Sequence, residues 1–438
     1  MCRVMSKIKY KLKLVLAYKD AVRTRVPVLF NRMIARSQKL ARKAAVSLSE
    51  KERIEVAFLL TIPGMWKLDY LFRLMESIGR YHPYIVIFPY SHFKGFDKKE
   101  LWSTVQRTEE FVKSRGYEYV IPYDEKRDKW LDIRKTNNPD IVFFTTPYRD
   151  ILPNYYYYHF KDKLTCYVPY AFQAMNAYEL DYNQIAINLF GLYFAETKMH
   201  LGFAQKYSRN KGANFVVTGY PGTEVYLRSD YKSTDVWKSQ STSKKRVIWA
   251  PHHTIDDKDD FQSSTFLVFC DVMLRLAEEY KETVQFAFKP HQLLKFKLYK
   301  LWGEENTDEY YRRWAEMENT QLEESGYIDL FIHSDAMMHD SGSFTTEYLY
   351  LNKPVMYLVN SDEPKRLFND FGALAFDCHY CGHNEEEMRR FLDDVVLLGR
   401  DSMQAARQDF FNTYLQPVNG VLPSQAMLNK IEEMIDNQ

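Results

Sequence analysis

Cysteine is scarce in this chain: five residues in 438, odd in number and scattered (Cys2, Cys166, Cys270, Cys378, Cys381). That excludes the disulfide framework of a small secreted domain and points to a reduced, cytoplasmic setting. Long apolar runs are missing too. No segment approaches the ~18 consecutive apolar residues that read as a membrane span. The N-terminus has no short apolar core ahead of a small-residue cleavage site, so it does not read as a signal peptide. No repeat of fixed period and no low-complexity tract is present. Nor does a second Cys-x-x-Cys exist to complete Cys378-His379-Tyr380-Cys381-Gly382-His383. A structural zinc site needs four ligands, commonly two separated pairs, so this stretch reads as a surface loop after a strand and no metal is expected.

Aromatics, by contrast, are abundant, with 33 Tyr and 29 Phe, inside a composition that is 46% hydrophobic and 27% charged. This is the balance of a globular chain with real cores, and the length suits two domains. The net charge of +1 conceals an asymmetry: residues 1–50 hold thirteen Lys or Arg against Asp20 and Glu50, so the remainder is acidic. The basic residues alternate with Ile8, Leu12, Leu14, Val15, Leu16, Val26, Val28, Leu29, Phe30, Met33 and Ile34. Residues 1–50 are therefore expected to form a basic, helical, amphipathic arm lying on an anionic membrane surface, each cation contributing about 1 kcal/mol. The apolar residues are too many for an electrostatic nucleic-acid tail, and no nucleic-acid partner is expected.

From Ile54 onward, short β-branched and aromatic runs alternate with helical patterns, the signature of parallel sheets with crossover helices. Strands are expected at Ile54–Thr61, Tyr84–Tyr90, Tyr117–Tyr123, Asp140–Thr145, Thr165–Val168 and Asn214–Thr218, with a long helix over Gln184–Ser208. The polar stretch 229–245 reads as a linker. The alternation then restarts with strands at Arg246–Ala250, Val284–Phe288, Ala336–His339, Val355–Val359 and Ala373–Phe376. The expected organisation is α/β throughout: the arm 1–50, a doubly wound domain 51–228, the linker 229–245, a second doubly wound domain 246–400 and C-terminal helices 401–438. Ligands of such sheets bind beyond the carboxyl ends of the strands, so two domains of this kind imply a cleft.

The chemistry-bearing residues follow strands of the second half. His252 and His253 come after one strand and His291 after the next, in Lys289-Pro290-His291. A histidine there can hydrogen-bond a phosphate oxygen or act as acid or base near neutral pH. After the third strand comes Asp340-Ser341-Gly342-Ser343, small residues opening a helix whose N-terminus suits an anion. Glu347, one turn on, could accept from ribose hydroxyls. Arg366, in Glu363-Pro364-Lys365-Arg366, could contact phosphate. Gly219-Tyr220-Pro221-Gly222 is too short for a dinucleotide fingerprint and reads as an interdomain turn.

The order Ala250-Pro251-His252-His253, Lys289-Pro290-His291, Asp340-Ser341-Gly342-Ser343 and Asn352-Lys353-Pro354-Val355-Met356-Tyr357-Leu358 resembles the CDP-glycerol glycerophosphotransferase family of teichoic-acid polymerases. Val216-Val217-Thr218-Gly219-Tyr220-Pro221 resembles it in the first half. The resemblance implies a GT-B fold with two Rossmann-like domains facing across a cleft, a nucleotide-activated donor held by the second domain, and no cofactor or obligatory metal. Carried over by position, it sets His291, Ser341, Gly342 and Ser343 on the donor pyrophosphate. One departure stands out. The family's first-domain Trp-His-Gly segment corresponds to Tyr167-Val168-Pro169-Tyr170-Ala171-Phe172-Gln173, which has no histidine, so the base is unassigned. The Asp340–Ser343 turn with Glu347 also resembles sugar-nucleotide GT-B enzymes and UDP-GlcNAc 2-epimerases.

The expected activity is transfer of a polyol phosphate (glycerol or ribitol phosphate) from a CDP-alditol to a hydroxyl of a lipid-linked or glycan acceptor, in cell-surface polymer synthesis at the inner face of the cell membrane. His252, His253 and His291 are the candidate catalytic residues. His291, Ser341, Gly342, Ser343 and Arg366 are assigned to the donor phosphates and Glu347 to the ribose. The alternatives are a GT-B glycosyltransferase using an NDP-sugar and a non-catalytic GT-B-like scaffold.

Overall fold

A computed structural model describes residues 25–90, 98–256, 264–324, 326–361 and 363–436. The chain divides into two compact units, one of residues 1–171, 177–224 and 417–438, the other of 172–176 and 225–416. Most of the expected basic arm, including Ile8 to Leu16, lies outside the described residues.

The first unit is built on a seven-stranded sheet whose strands are β1 (Ile54–Leu60), β2 (Tyr81–Ile87), β3 (Tyr119–Val120), β4 (Ile141–Phe144), β5 (Leu164–Tyr167), β6 (Leu192–Ala195) and β7 (Phe215–Val217). The order is β3-β2-β1-β4-β5-β6-β7, with every pair parallel. Val56, Ala57, Phe58, Ile141, Val142 and Phe143 are fully buried. Burial on both faces is why these strands read as continuous apolar runs rather than alternating ones. Phe58 stacks on Phe143 with ring centroids 4.6 Å apart. Each such ring contributes about 1.5–3 kcal/mol by leaving water.

Two helices far apart in sequence close one face of this unit. Helix α1 (Pro27–Val46) buries Phe30, Ile34, Ala41, Ala44 and Ala45, with Pro27 fixing its first turn. The C-terminal helix (Pro423–Asp436) adds Met427, Leu428, Ile431 and Ile435 to the same core as Ala41, Ala45, Leu71 and Phe72. Its start is fixed by the Glu224 carboxylate, which accepts from the Ser424 amide at 2.7 Å. The last helix therefore belongs to the first unit and is not an appendage of the second. The C-terminal end of α1 is structural, whereas Val26 and Val28 at its start are 44% and 60% exposed.

The second unit holds a six-stranded, all-parallel sheet of β8 (Lys245–Ala250), β9 (Val284–Phe288), β10 (Thr320–Leu322), β11 (Ala336–His339), β12 (Val355–Leu358) and β13 (Tyr380–Gly382). The order is β10-β9-β8-β11-β12-β13. Strand order reverses between β8 and β11, where Ala250 pairs with His339. The corresponding reversal in the first unit lies between β1 and β4. In sheets of this type such a switch point is where loops part and ligands bind.

Several sequence expectations are corrected. Residues 229–245 are not a free linker but an edge of the second unit. Tyr231 donates to Asp329 at 2.7 Å, Trp237 is buried and donates to the Leu330 carbonyl at 3.2 Å, and the Lys238 amide donates to Gln321 at 2.7 Å. The span Gln184–Ser208 is a short helix, the strand β6 and a second helix (Lys198–Tyr207), because Leu192–Ala195 is buried on both sides in the sheet. Ala373–Phe376 belongs to a helix (Asp370–Phe376) whose N-cap Asn369 accepts from the Gly372 amide, and the next strand is β13.

Candidate functional site

At the switch point of the second sheet the loops after β8, β9 and β11 come together. The Lys289 amide donates to the Trp249 carbonyl at 2.8 Å and the His291 amide to the Pro251 carbonyl at 3.0 Å. This zipping of the β9 exit onto the β8 exit brings three imidazoles together, tilted or edge-on to one another. Ring centroids are 4.4 Å apart for His252 and His253, 4.9 Å for His252 and His291, and 4.2 Å for His253 and His291. All three sequence-predicted histidines therefore share one cluster, with one nitrogen of each within 4.8 Å of the others.

Three close imidazoles invite a metal, and the hydrogen bonding tests that reading. His291 Nδ1 lies 3.1 Å from the Leu293 amide, which can only donate. Burial, helped by His252, His253, Lys289 and Lys297, lowers the His291 pKa to about 2, so the ring is neutral. A neutral ring whose Nδ1 accepts must carry its proton on Nε2. It offers the cluster a donor, where a metal would need a lone pair with the other nitrogen donating outward. The polarity suits an anion. Lys289, 6% exposed with its pKa lowered by burial, adds a cation within the same strand exit.

The turn after β11 differs in part from expectation. Asp340 is fully buried, and its carboxylate faces the β8 exit, accepting from the His252 amide and from the Thr265 amide and hydroxyl, the last at 2.8 Å. Burial raises its pKa to about 6 against these hydrogen bonds. The Ser341 amide donates to Nδ1 of the buried His339 at 3.1 Å, so it is not available to a ligand. In the sequence His339 is only the end of the expected strand Ala336–His339, with no role; a histidine closing an otherwise apolar run is the hint it holds. The Ser341 and Ser343 hydroxyls lie 3.5 Å apart. A Cβ on Gly342 would stand 2.4 Å from the Met175 sulfur, so a larger residue there displaces that flexible side chain.

Two expected residues do not join the cluster's chemistry. Glu347 is 1% exposed and accepts from the Tyr327 hydroxyl at 2.6 Å, so it faces protein rather than a ribose. The helix opening at Phe344 is only one turn before it tightens to a 3-10 turn at Tyr348. Arg366 stands on an exposed 3-10 turn, paired with Glu363 at 3.1 Å. In the Cys378–His383 stretch Cys378 and His379 are buried, and His379 Nδ1 lies 2.9 Å from the Ala375 carbonyl. That stretch closes a helix and opens β13, so it is not a surface loop.

Residues 172–176, which overlap the end of the Tyr167–Gln173 segment, pack within the second unit. Phe172 stacks on Phe371 at 5.4 Å, the Asn176 amide donates to the Leu367 carbonyl at 2.8 Å, and the Ala174 carbonyl accepts from the Asn369 amide at 2.9 Å. A Cβ on Gly372 would stand 2.0 Å from that carbonyl oxygen, so only glycine allows the docking.

Comparison with known proteins now bears on this geometry. The wall teichoic acid polymerase TagF superposes with a TM-score of 0.56 at 14% identity, covering 98% of each chain. A UDP-GlcNAc 2-epimerase from Neisseria meningitidis, solved bound to UDP-GlcNAc, gives 0.51 at 15% identity over 88% of this chain and 100% of that one. The S. aureus MnaA–UDP structure gives 0.55 at 14% identity over 87% and 97%. No curated protein matches the sequence. Among the described residues no helix is long and apolar enough to cross a membrane. The α/β GT-B class expected from the sequence is thus the fold observed. Residues 187–366, which contain the histidine cluster, Lys289-Pro290-His291 and the serine turn, match the model of the CDP-Glycerol:Poly(glycerophosphate) glycerophosphotransferase family.

Proposed function

We propose that the protein transfers a polyol phosphate from a CDP-alditol to a hydroxyl acceptor in surface-polymer synthesis, with the donor's pyrophosphate held at the second unit's switch point. The observation that carries this is the convergence of His252, His253 and His291 in one cluster, with His291 presenting an Nε2–H donor. The family match over the same residues supports the reading. In the reaction the acceptor hydroxyl loses its proton to solvent, its oxygen attacks the donor's distal phosphorus, the phosphorus bond to the CMP oxygen breaks, and CMP leaves with the electron pair. Catalysis of such a displacement is chiefly positioning and charge stabilisation. His291, Lys289 and the Ser341 and Ser343 hydroxyls neutralise and orient the phosphates, and His252 or His253 can protonate the departing CMP oxygen. Membrane engagement through Val26, Val28, Leu29 and the basic residues Arg25 and Arg32 at the start of α1 belongs to the same reading.

Identifying the released nucleotide tests it. Purified protein given CDP-glycerol, CDP-ribitol and a panel of NDP-sugars with a glycan acceptor should release CMP from a CDP-alditol. Release of an NDP from an NDP-sugar, with the CDP-alditols untouched, would replace this reading with the glycosyltransferase one, which the epimerase-like fold keeps in view.

A further inference from the structure

Two buried histidines stand behind the serine turn of the second unit and take no part in the donor chemistry. His339 closes β11, and His379 lies between the helix Asp370–Phe376 and β13. Their rings meet edge to face, with centroids 5.4 Å apart. An imidazole in a core costs free energy unless its polar atoms are paired.

The backbone partners fix where each ring carries its proton. The Ser341 amide can only donate, so Nδ1 of His339, 3.1 Å away, is the acceptor. The Ala375 carbonyl can only accept, so Nδ1 of His379, 2.9 Å away, carries a hydrogen. Burial keeps both rings neutral, and Arg407, fully buried and ion-paired with Asp401, adds a positive charge that acts against a second proton on His379. A neutral imidazole has one N–H, so His339 carries its own on Nε2, while His379 keeps a lone pair on Nε2. Both Nε2 atoms are buried, and neither has a hydrogen-bond partner among the described residues. One is a donor and the other an acceptor.

The rest of the turn's backbone is held as firmly. The Ser341 carbonyl accepts from the Thr345 hydroxyl at 3.0 Å, and the Asp340 carbonyl from the Tyr357 hydroxyl at 3.1 Å. With its amide on His339 and its carbonyl on Thr345, Ser341 has its hydroxyl left for a ligand.

Resting on the function proposed above, we propose that His339 and His379 are positioning residues for the phosphate-binding serine turn, joined Nε2–H to Nε2 directly or through one buried water. The chain then runs from the Ser341 amide through His339 and His379 to the Ala375 carbonyl, with every donor pointing the same way. A single water carries such a link at little cost. Hydrogen bonds aligned in one direction polarise one another, so a change at His379 is felt at Ser341.

Two measurements test this. Imidazole ¹⁵N spectra of the ligand-free wild type, assigned with His339→Asn and His379→Gln, should show the proton on Nε2 of His339 and on Nδ1 of His379. Calorimetric titration of CDP and of inorganic pyrophosphate then uses amide side chains as mimics, since an asparagine oxygen reaches the place of Nδ1 and a glutamine oxygen that of Nε2. At 339 the acceptor is needed at Nδ1: His339→Asn should bind both ligands within a few-fold of wild type, and His339→Gln roughly tenfold or more weakly. At 379 the acceptor is needed at Nε2, so the order should reverse, with His379→Gln retaining affinity and His379→Asn losing it. The same order at both positions, losses that merely follow the melting temperature, or a proton found on Nδ1 of His339 would overturn this inference alone. A wild-type protein that binds neither CDP nor pyrophosphate overturns the proposed function and the turn's role in it.

Discussion

The buried carboxylate of Asp340 accepts a hydrogen bond from the backbone amide of His252, tying the exit of β11 to the exit of β8. Thr265 adds an amide and a hydroxyl to the same carboxylate, so one acid holds both ends of the loop that carries the histidine pair. Ser341 and His252 are therefore positioned by a common anchor.

That anchor should titrate. The Asp340 pKa is raised to about 6, so at neutral pH the carboxylate is ionised and accepts three hydrogen bonds, and as pH falls through about 6 it takes up a proton and its grip on the loop weakens. CDP affinity of the wild-type protein is expected to fall over that window. Asp340→Asn, which turns an N–H face toward the His252 and Thr265 donors, should bind CDP at pH 7.5 roughly tenfold more weakly, with the pH dependence flattened. An affinity unchanged between pH 7.5 and pH 5.5 in the wild type would remove Asp340 from this role.

Gly372 sets the docking of residues 172–176. A methyl group at 372 meets the backbone oxygen of Ala174, which cannot swing aside as a side chain would. Gly372→Ala should destabilise the protein by about 1–3 kcal/mol and raise hydrogen exchange at the Asn176 and Asn369 amides, which lose their partners. Thermal unfolding and exchange indistinguishable from wild type would show that the contact does not hold in solution.

The N-terminal prediction is sharpened by the structure. Removing residues 1–50 would strip Ala41 and Ala45 from the first unit's core, so the informative truncation is residues 1–24, paired with Val28→Glu. Both changes should weaken binding to anionic liposomes and leave CDP affinity intact. Binding by the wild type should fall as salt rises, because attraction to the surface is screened over about 8–10 Å at physiological ionic strength. Equal liposome binding by the truncated and full-length proteins would exclude the arm.

The parts of the fold legible in the sequence are those decided locally. Ile54–Leu60 and Val284–Phe288 are apolar on both faces, and a strand buried on both faces announces itself without any partner. The three histidines and the serine turn were legible because each follows such a strand. What escaped was decided by distant contacts. Leu192–Ala195 looks like a turn of apolar helix until β5 and β7 flank it. The polar segment 229–245 hides one anchor, Trp237, whose indole is buried and donates to the Leu330 carbonyl some ninety residues on. Glu347 reads from the sequence as facing a ribose because a sequence shows an acid one turn into a helix but not the donor, Tyr327, that occupies it.

The central claim, that a nucleotide's phosphates bind at the second unit's switch point, is tested most directly by calorimetric titration of CDP and inorganic pyrophosphate into the wild type, His291→Ala and Ser341→Ala. A hydrogen bond to a charged phosphate is worth about 1.5–3 kcal/mol, so each variant should bind both ligands roughly ten- to a hundredfold more weakly while melting near the wild-type temperature. Undiminished affinity in both variants, with the fold intact, would contradict the account.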